Sequence, residues 1–288
     1  MNPPPDDAAR REALLTLLDD PAPTVRRALL ALFAADAAGS ARLLKEVAAG
    51  SNRVLAWHAR TYLEELNLTD PVGDFREFIR SLHYELETGA MLLARTVYPT
   101  VDVVACGEHL DRLAARCREL IAEPCSAREK CRVINRVLYH DHGFHGNLEH
   151  YTDPENSFLH LVLERHKGIP ISLCLVYLLV AQRLGLTLEP VALPGHFVLG
   201  CFLEDAPFYI DAFDGGMLRS AEELSARLAQ QEIAVKPADL APATIREMLS
   251  RSCRNLVNHY ARSGDYDRSR LFASFVEEFE ATHARHST

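Results

Sequence analysis

Residues 168–174 have the sequence Gly-Ile-Pro-Ile-Ser-Leu-Cys, and they begin the part of the chain that decides the fold. Glycine is common where a helix ends, and proline is favoured as the first helical residue because its missing N–H would have no partner there. We therefore predict that one helix ends at Gly168 and another begins at Pro170. The second helix is apolar nearly all round as far as Leu184, which predicts that it is buried.

Three short strands are predicted after this helix. They cover Thr187 to Leu193, Phe197 to Leu203 and Phe208 to Asp211, which are apolar and β-prone runs separated by turn residues. His196 stands directly before the second strand, and Asp211 closes the third. The predicted fold class is therefore α+β and mostly helical, with a buried helix against a small antiparallel sheet and helical bundles flanking this core.

The chain is predicted to have four regions. Residues 1–68 are helical, and the phrase Leu-Leu-Asp-Asp-Pro-x-x-x-Val-Arg-Arg-Ala-Leu at 17–29 resembles a HEAT-type repeat. The alternative is a small helical bundle that caps the next domain. A linker at 67–73 leads to a helical region, 74–140, and then to the core, 141–236.

The last region, 237–288, is predicted to be a pair of helices separated by Ser263-Gly264-Asp265. Its phrase Asn-Leu-x-x-x-Tyr-x-x-x-Gly-Asp-Tyr-x-x-Ser resembles one tetratricopeptide-type hairpin. A single unit does not form the concave surface of a repeat array. We therefore expect this hairpin to pack on the domain before it.

The composition argues against some classes of function. The formal net charge is -9, which argues against a general nucleic-acid binder or a binder of anionic membranes, because phosphate contact needs clustered Lys and Arg. The longest apolar run, Ile169 to Ala181, is too short to span a bilayer. The seven cysteines form no CxxC pair and the N-terminus lacks the features of a signal peptide, so we expect reduced thiols in a cytoplasmic protein.

The central stretch brings together residue types that suit nucleophilic catalysis. The free N–H groups at a helix start favour a thiolate or an oxyanion, a His on a facing strand can act as a base, and an Asp can fix the tautomer of that His. His196 and Asp211 fit the last two roles. The structural alternative for His196 is a hydrogen bond to a strand carbonyl.

Three residues compete for the place of the nucleophile. Pro170 stands at the helix start and has no reactive group. Ser172 is either a nucleophile or a local cap, and Cys174 is either a nucleophile or a small buried hydrophobic residue. The residues alone do not decide between these alternatives.

A histidine-rich loop is the other candidate site. It contains four histidines with spacings that zinc sites use, namely His140, His142, His145 and His150. No cysteine joins them in sequence, and Gly143 and Gly146 account for the loop without a metal. We therefore predict no metal and no cofactor.

The whole stretch resembles the SirB-type branch of the transglutaminase-like superfamily, which is related to papain-fold cysteine proteases. The motif residues are Gly143-Phe144, Gly146-Asn147, Tyr151, Asp153-Pro154, Asn156-Ser157, Leu159, Val162-Leu163, Arg165, Gly168 to Leu173, Arg183, Gly185-Leu186, Pro194 to Phe197, Asp211, Phe213 and Gly215-Gly216. The segment 86–99 is also similar to the family. The resemblance covers about residues 74–262 and implies a papain-like core in which a helix start faces a His and an Asp.

The resemblance also implies which residues form the site. Active members of the superfamily carry a cysteine two positions after a glycine, and that slot here holds Pro170, whereas His196 and Asp211 match the retained His and Asp. The residues expected to line the cleft are Asn156, Pro170, Phe197 and Phe213. Cys174 matches no family position.

The function that follows from the resemblance is a non-catalytic binding or regulatory domain. Members of this branch are similar in lacking the cysteine, and such a domain also occurs within some eukaryotic F-box proteins. The expected partner is a protein or a peptide. The alternative is an unconventional hydrolase or acyl-transferase that uses Ser172 or Cys174 with His196 and Asp211.

Overall fold

The computed structural model describes residues 5–66, 68–203, 206–230 and 232–286. The chain divides into two compact units, Met1–Asp70 and Pro71–Thr288. Residues 1–4 and Asn67, which belong to the predicted N-terminal region and linker, lie outside the described residues.

The described part of the first unit is helical, as the apolar spacing predicts. Its helices are α1 (Pro5–Leu18), α2 (Pro23–Ala35), α3 (Ala37–Ala48) and α4 (Arg53–Glu65). A small core forms between them around Leu29, Phe33, Leu44 and Tyr62. The likeness to HEAT repeats stays a prediction.

The second unit holds the remaining elements. Its helices are α5 (Pro71–Ser81), α6 (Leu86–Arg95), α7 (Val103–Leu120), α8 (Ala127–Asn135), α9 (Leu159–Arg165), α10 (Pro170–Arg183), α11 (Ala221–Ala229), α12 (Ile245–Ser263) and α13 (Tyr266–His286). A π-helix, Arg136–Asp141, extends α8, and short 3-10 turns occupy Pro154–Ser157, Ala212–Asp214 and Pro237–Leu240. The mostly helical α+β fold class is confirmed.

The strands form two sheets. A two-residue parallel pair joins β1 (His145–Gly146) to β2 (Lys167–Gly168), and an antiparallel sheet has the order β3 (Glu189–Leu193), β4 (His196–Cys201), β5 (Phe208–Asp211), β6 (Met217–Arg219). The three predicted strands are present, within a few residues of the predicted bounds. The fourth strand, β6, was not predicted, because a three-residue strand is stable only through its pairing with β5.

Helix α10 is the centre of the second unit. All residues from Pro170 to Ala181 are buried, as the apolar run predicts. The helix packs on β4, whose Phe197 and Leu199 contribute to the same core. This packing fixes the helix start and the first residue of β4 in one rigid layer.

One predicted helix end was wrong. Helix α9 stops at Arg165, and the left-handed residue after it is His166, with φ 53° and ψ 28°, whereas Gly168 lies in β2. The His166 ring stacks on Phe144 at 4.6 Å between ring centroids. We infer that this contact stabilises a conformation that glycine would adopt more easily.

The C-terminal hairpin packs on the domain before it, as expected. Helices α12 and α13 share an aromatic core with α5, α6 and Phe158, in which Phe75, Phe272 and Phe275 are fully buried. Among the described residues, no helix combines the length and the apolar character that crossing a membrane requires.

Candidate functional site

His196 and Asp211 lie next to each other on neighbouring strands. The turn Pro194-Gly195 joins β3 to β4, and Gly195 has φ +68°, which suits the third position of a type II turn. His196 is therefore the first residue of β4. Its Nε2 atom lies 3.0 Å from Oδ2 of Asp211, a distance at which an ion pair forms, although the two atoms are not aligned as a strict hydrogen bond.

The surroundings of Asp211 keep its carboxylate charged. Burial by itself raises the pKa of Asp211, but His196, the charge of Arg227 and the amide N–H of Asp214 outweigh it and hold this pKa below its usual value. The Arg227 Nε atom lies 4.0 Å from Oδ2, and the Asp214 amide donates to Oδ1 at 3.2 Å. The carboxylate is thus suited to hold the His196 ring in one orientation and tautomer.

Ser172 is engaged in the helix start. Its hydroxyl donates to the carbonyl oxygen of Asn156 at 2.6 Å, with the carbonyl of Ile169 at 3.1 Å as a second acceptor, and it accepts the amide N–H of Ile169 at 3.0 Å. Gly168 packs against it so closely that a Cβ there would lie 2.5 Å from the Ser172 Oγ. The hydroxyl therefore acts as a local cap in this structure.

Cys174 is buried one turn above Pro170. Its thiol is fully buried and donates to the carbonyl oxygen of Phe197 at 3.6 Å. Burial raises the pKa of the Cys174 thiol well above its usual value, and the charge of Asp211 raises it further, while the amide of Ala212 offsets part of the rise. Such a thiol stays protonated at neutral pH.

Three of the four residues predicted to line the cleft are buried. Asn156 is fully buried and ties down the preceding loop, because its side-chain amide donates to the carbonyl of His150 at 2.7 Å and accepts from Asn147 at 2.9 Å. Pro170 and Phe197 are also buried. Phe213 is partly exposed and is the one with surface to offer a ligand.

One aromatic ring, that of Phe213, lies beside His196. The ring of Phe213 stands edge-on to His196 at 6.4 Å and to Tyr151 at 6.0 Å. Gly146 makes this possible, because a Cβ at that position would lie 2.4 Å from the Phe213 ring. Tyr151 was not predicted as a site residue, although it belongs to the motif that carries the resemblance.

Arg251 is a second residue that the sequence did not single out. It lies on α12, donates from Nη2 to the carbonyl oxygen of Leu193 at 2.7 Å, and stands 5.7 Å above the ring of Phe197. Its position 40 residues after Asp211 carries no local pattern that would connect it with the site.

The histidine-rich loop does not form a metal site in the described part of the chain. No group of three His, Cys, Asp or Glu residues is arranged there to hold a metal ion. His142 instead faces His166, which also contacts His109 on α7, with ring centroids 6.1 and 6.0 Å apart. The pKa values of His109 and His142 are lowered, mainly by burial, which favours neutral rings.

Comparison with known proteins places this architecture in a family. The family model described as "Transglutaminase-like superfamily" matches residues 105–254. A UPF0162 protein of Xylella fastidiosa (strain 9a5c) is 35% identical over 194 residues, which make up 64% of this chain and 68% of that protein.

Two further relatives match a shorter part of the chain. A UPF0162 protein of Vibrio cholerae is 30% identical over 132 residues, 46% of this chain and 49% of that protein. F-box only protein 21 of Mus musculus is 37% identical over 140 residues, 46% of this chain and 22% of that protein. No solved structure matches the chain. The matched residues contain the buried helix α10, His196 and Asp211, and the chain belongs to the transglutaminase-like superfamily.

Proposed function

We propose that this chain is a non-catalytic member of the transglutaminase-like superfamily and that it binds a protein or peptide partner at the surface around His196. The observation that carries the proposal is the state of the candidate nucleophiles. Among the hydrogen bonds of the described residues, none joins His196 to a serine, threonine or cysteine side chain. A base without a nucleophile in reach cannot start covalent catalysis.

The two candidate nucleophiles support this proposal in different ways. The Ser172 hydroxyl already donates to a backbone carbonyl and accepts from a backbone amide, so activation would first have to break the start of α10. The Cys174 thiol is fully buried, and its raised pKa keeps it protonated. Pro170, in the slot where the family motif has cysteine, offers neither a proton nor a lone pair for attack.

A binding role is consistent with what surrounds His196. Tyr151 and Phe213 present partly exposed aromatic surface next to a half-buried arginine, Arg251. Aromatic and arginine side chains are the residue types that dominate binding energy at protein interfaces. In F-box only protein 21 of mouse the similar segment makes up 22% of the chain, so it is one part of a longer protein there.

A second candidate function is an unconventional hydrolase or acyl-transferase. The observation that favours it is the preserved contact of 3.0 Å between His196 and Asp211, since a buried carboxylate costs free energy unless it is paired. In this candidate Ser172 or Cys174 would turn towards His196 when a substrate binds.

Covalent probes distinguish the two functions. The purified chain would be treated with a fluorophosphonate, which labels activated serines, and with iodoacetamide, which labels thiolates, and the modified residues would be located by mass spectrometry. We expect no label on Ser172 and none on Cys174 in the folded protein. Cys125, which is partly exposed, is the internal control for iodoacetamide.

Labelling of Ser172 or Cys174 that is lost in the His196→Gln variant, while Cys125 is still labelled, would show that His196 activates a nucleophile. The non-catalytic proposal would then be replaced by the hydrolase or acyl-transferase.

A further inference from the structure

Arg251 has an unusual position for an arginine. It is half-buried at the side of α12, where one N–H bonds the carbonyl at the end of β3 and the guanidinium stands over the ring of Phe197. Burial lowers the pKa of Arg251, so the charge is held in a partly dehydrated place. A guanidinium in such a place interacts with an anion more strongly than one in open water.

No carboxylate of the described residues lies at ion-pair distance from Arg251. Glu247, one turn earlier on α12, acts on it only from farther away. Two other arginines of this unit do form such pairs: Arg254 lies 3.6 Å from Glu280, and Arg227 lies 2.6 Å from Asp214. Apart from the N–H that bonds Leu193, the guanidinium makes no hydrogen bond to the described part of the protein, and none of its nitrogens is a buried atom without a partner.

Four side chains from four separate segments are connected by pairwise interactions. The ring of Phe213 lies 6.4 Å from that of His196 and 6.0 Å from that of Tyr151. Burial raises the pKa of Tyr151, and the charge of Arg251 offsets part of this rise. Arg251 then bonds Leu193, whose Cα is the register partner of His196. These interactions form a closed series of four residues, called here the four-residue ring. Within this series, Tyr151 is 39% exposed.

We propose that this ring, formed by Arg251, Tyr151, Phe213 and His196, is a subsite for a peptide carboxylate that is accompanied by an aromatic or other large apolar side chain. The carboxylate would accept hydrogen bonds from the free N–H groups of Arg251. The apolar side chain would pack against Tyr151 and Phe213. This subsite names the part of the partner that the proposed binding function recognises, and it therefore rests on that function.

The charges around the ring favour a carboxylate over a phosphate. Arg251 makes no ion pair within the described residues, whereas His196 lies against Asp211. A single guanidinium matches a single carboxylate in charge and in its forked geometry, whereas a doubly charged phosphate is usually held by several cations. The negative charges of Asp211 and Glu247 nearby also disfavour a dianion.

The test uses two small probes that differ only in charge. N-acetyl-phenylalanine carries a carboxylate and a phenyl group. N-acetyl-phenylalanine amide carries the phenyl group and an uncharged amide. Each would be titrated into the full chain labelled with nitrogen-15, and dissociation constants would be taken from the shifts in the NMR spectrum. We expect the acid to bind at least about tenfold more tightly than the amide, since hydrogen bonds to charged groups are stronger than those between neutral groups.

Matched variants test whether the preference for the acid depends on the four-residue ring. Arg251→Gln should abolish the preference for the acid, and Arg254→Gln, a neighbouring charge removal on the same helix, should keep it. Because Arg251→Gln also removes the bond to Leu193, Arg251→Lys is included, and it should retain part of the preference. Tyr151→Leu should weaken both probes by a similar factor and leave their ratio unchanged.

Several results would overturn the subsite. These are equal binding of acid and amide to the wild type, no binding of either probe at millimolar concentration, or an acid preference that survives in both Arg251 variants. The proposed non-catalytic function is tested separately. Nucleophile labelling would remove that function and leave the acid preference as measured, and loss of the preference would remove the subsite alone.

Discussion

The two sides of the candidate site differ in what their polar groups do. On the helix side, formed by Pro170, Ser172 and Cys174, every polar atom bonds backbone and is sealed from solvent. On the sheet side, His196 keeps an ion-pair contact with Asp211 and remains partly exposed. In this chain the polar groups of the helix side are therefore engaged within the fold, whereas the sheet side keeps a partly exposed polar side chain, which is where we propose that a partner binds.

The largest effect is expected when the hydrogen bonds of Asn156, which support the start of α10, are removed. Asn156→Ala deletes the hydrogen bonds to His150 and Asn147, and it leaves buried polar groups without partners. We expect the second unit to lose about 3–4 kcal/mol of unfolding free energy, since each buried group left unpaired costs about 1–3 kcal/mol. Urea unfolding followed by circular dichroism measures this.

The control for this change is Asn258→Ala, an exposed residue of α12. It should alter the unfolding free energy by less than about 0.5 kcal/mol. If the two variants are equally stable, the loop at 147–156 is not the support of the helix start that the hydrogen bonds indicate.

Ser172→Ala probes the same side with a smaller change. It leaves the amide of Ile169 and the carbonyl of Asn156 unpaired at the start of α10. We expect a loss of about 2 kcal/mol in unfolding free energy, with unchanged binding of N-acetyl-phenylalanine at the His196 surface. A variant that is as stable as the wild type but binds this probe more weakly would reverse the assignment of Ser172.

Asp211→Asn tests the sheet side through its pH dependence. Because the pKa of Asp211 is lowered in the folded chain, the carboxylate stabilises the fold above its unfolded pKa of about 3.9. This contribution is lost as the pH falls through the lower, folded value. The variant should be less stable than the wild type at pH 7 by about 1 kcal/mol.

The difference between Asp211→Asn and the wild type should shrink as the pH falls through the folded pKa of Asp211. Chemical unfolding at pH 7 and at successively lower pH measures the trend. A difference that stays constant over this range would mean that the contact with His196 does not depend on the carboxylate charge.

The smallest effect is expected at Cys174. Its buried, protonated thiol should react with 5,5′-dithiobis(2-nitrobenzoate) at a rate set by global unfolding, while Cys125 should react orders of magnitude faster in the folded protein. Stopped-flow absorbance with site identification by mass spectrometry gives both rates. Equal rates would mean that the helix side is open to solvent.

The sequence predicted those features that depend on neighbouring residues. Helix α10 was predicted from the apolar run that follows Pro170, and three strands of the main sheet were predicted from β-prone runs separated by turn residues. The strand pattern predicted His196 and Asp211 at neighbouring strands, and the resemblance to the family matched them to its retained His and Asp.

Features that depend on contacts between distant segments were not predictable from one sequence. Strand β6 exists through its pairing with β5, and the left-handed residue after α9 is His166 because Phe144 stacks on its ring. Arg251 reaches the candidate site only because α12 folds back onto the end of β3. No spacing of residues along the chain predicts any of these contacts.

The most direct test of the account is the rate at which the purified chain hydrolyses fluorogenic amide, ester and isopeptide substrates, compared with the His196→Gln variant. We expect both proteins to show the same rate as buffer alone, because among the described residues no hydrogen bond joins His196 to a serine, threonine or cysteine side chain. A wild-type rate clearly above buffer that falls at least about a hundredfold in His196→Gln, the size of a general-base contribution, would contradict the claim that the helix side has lost its chemistry.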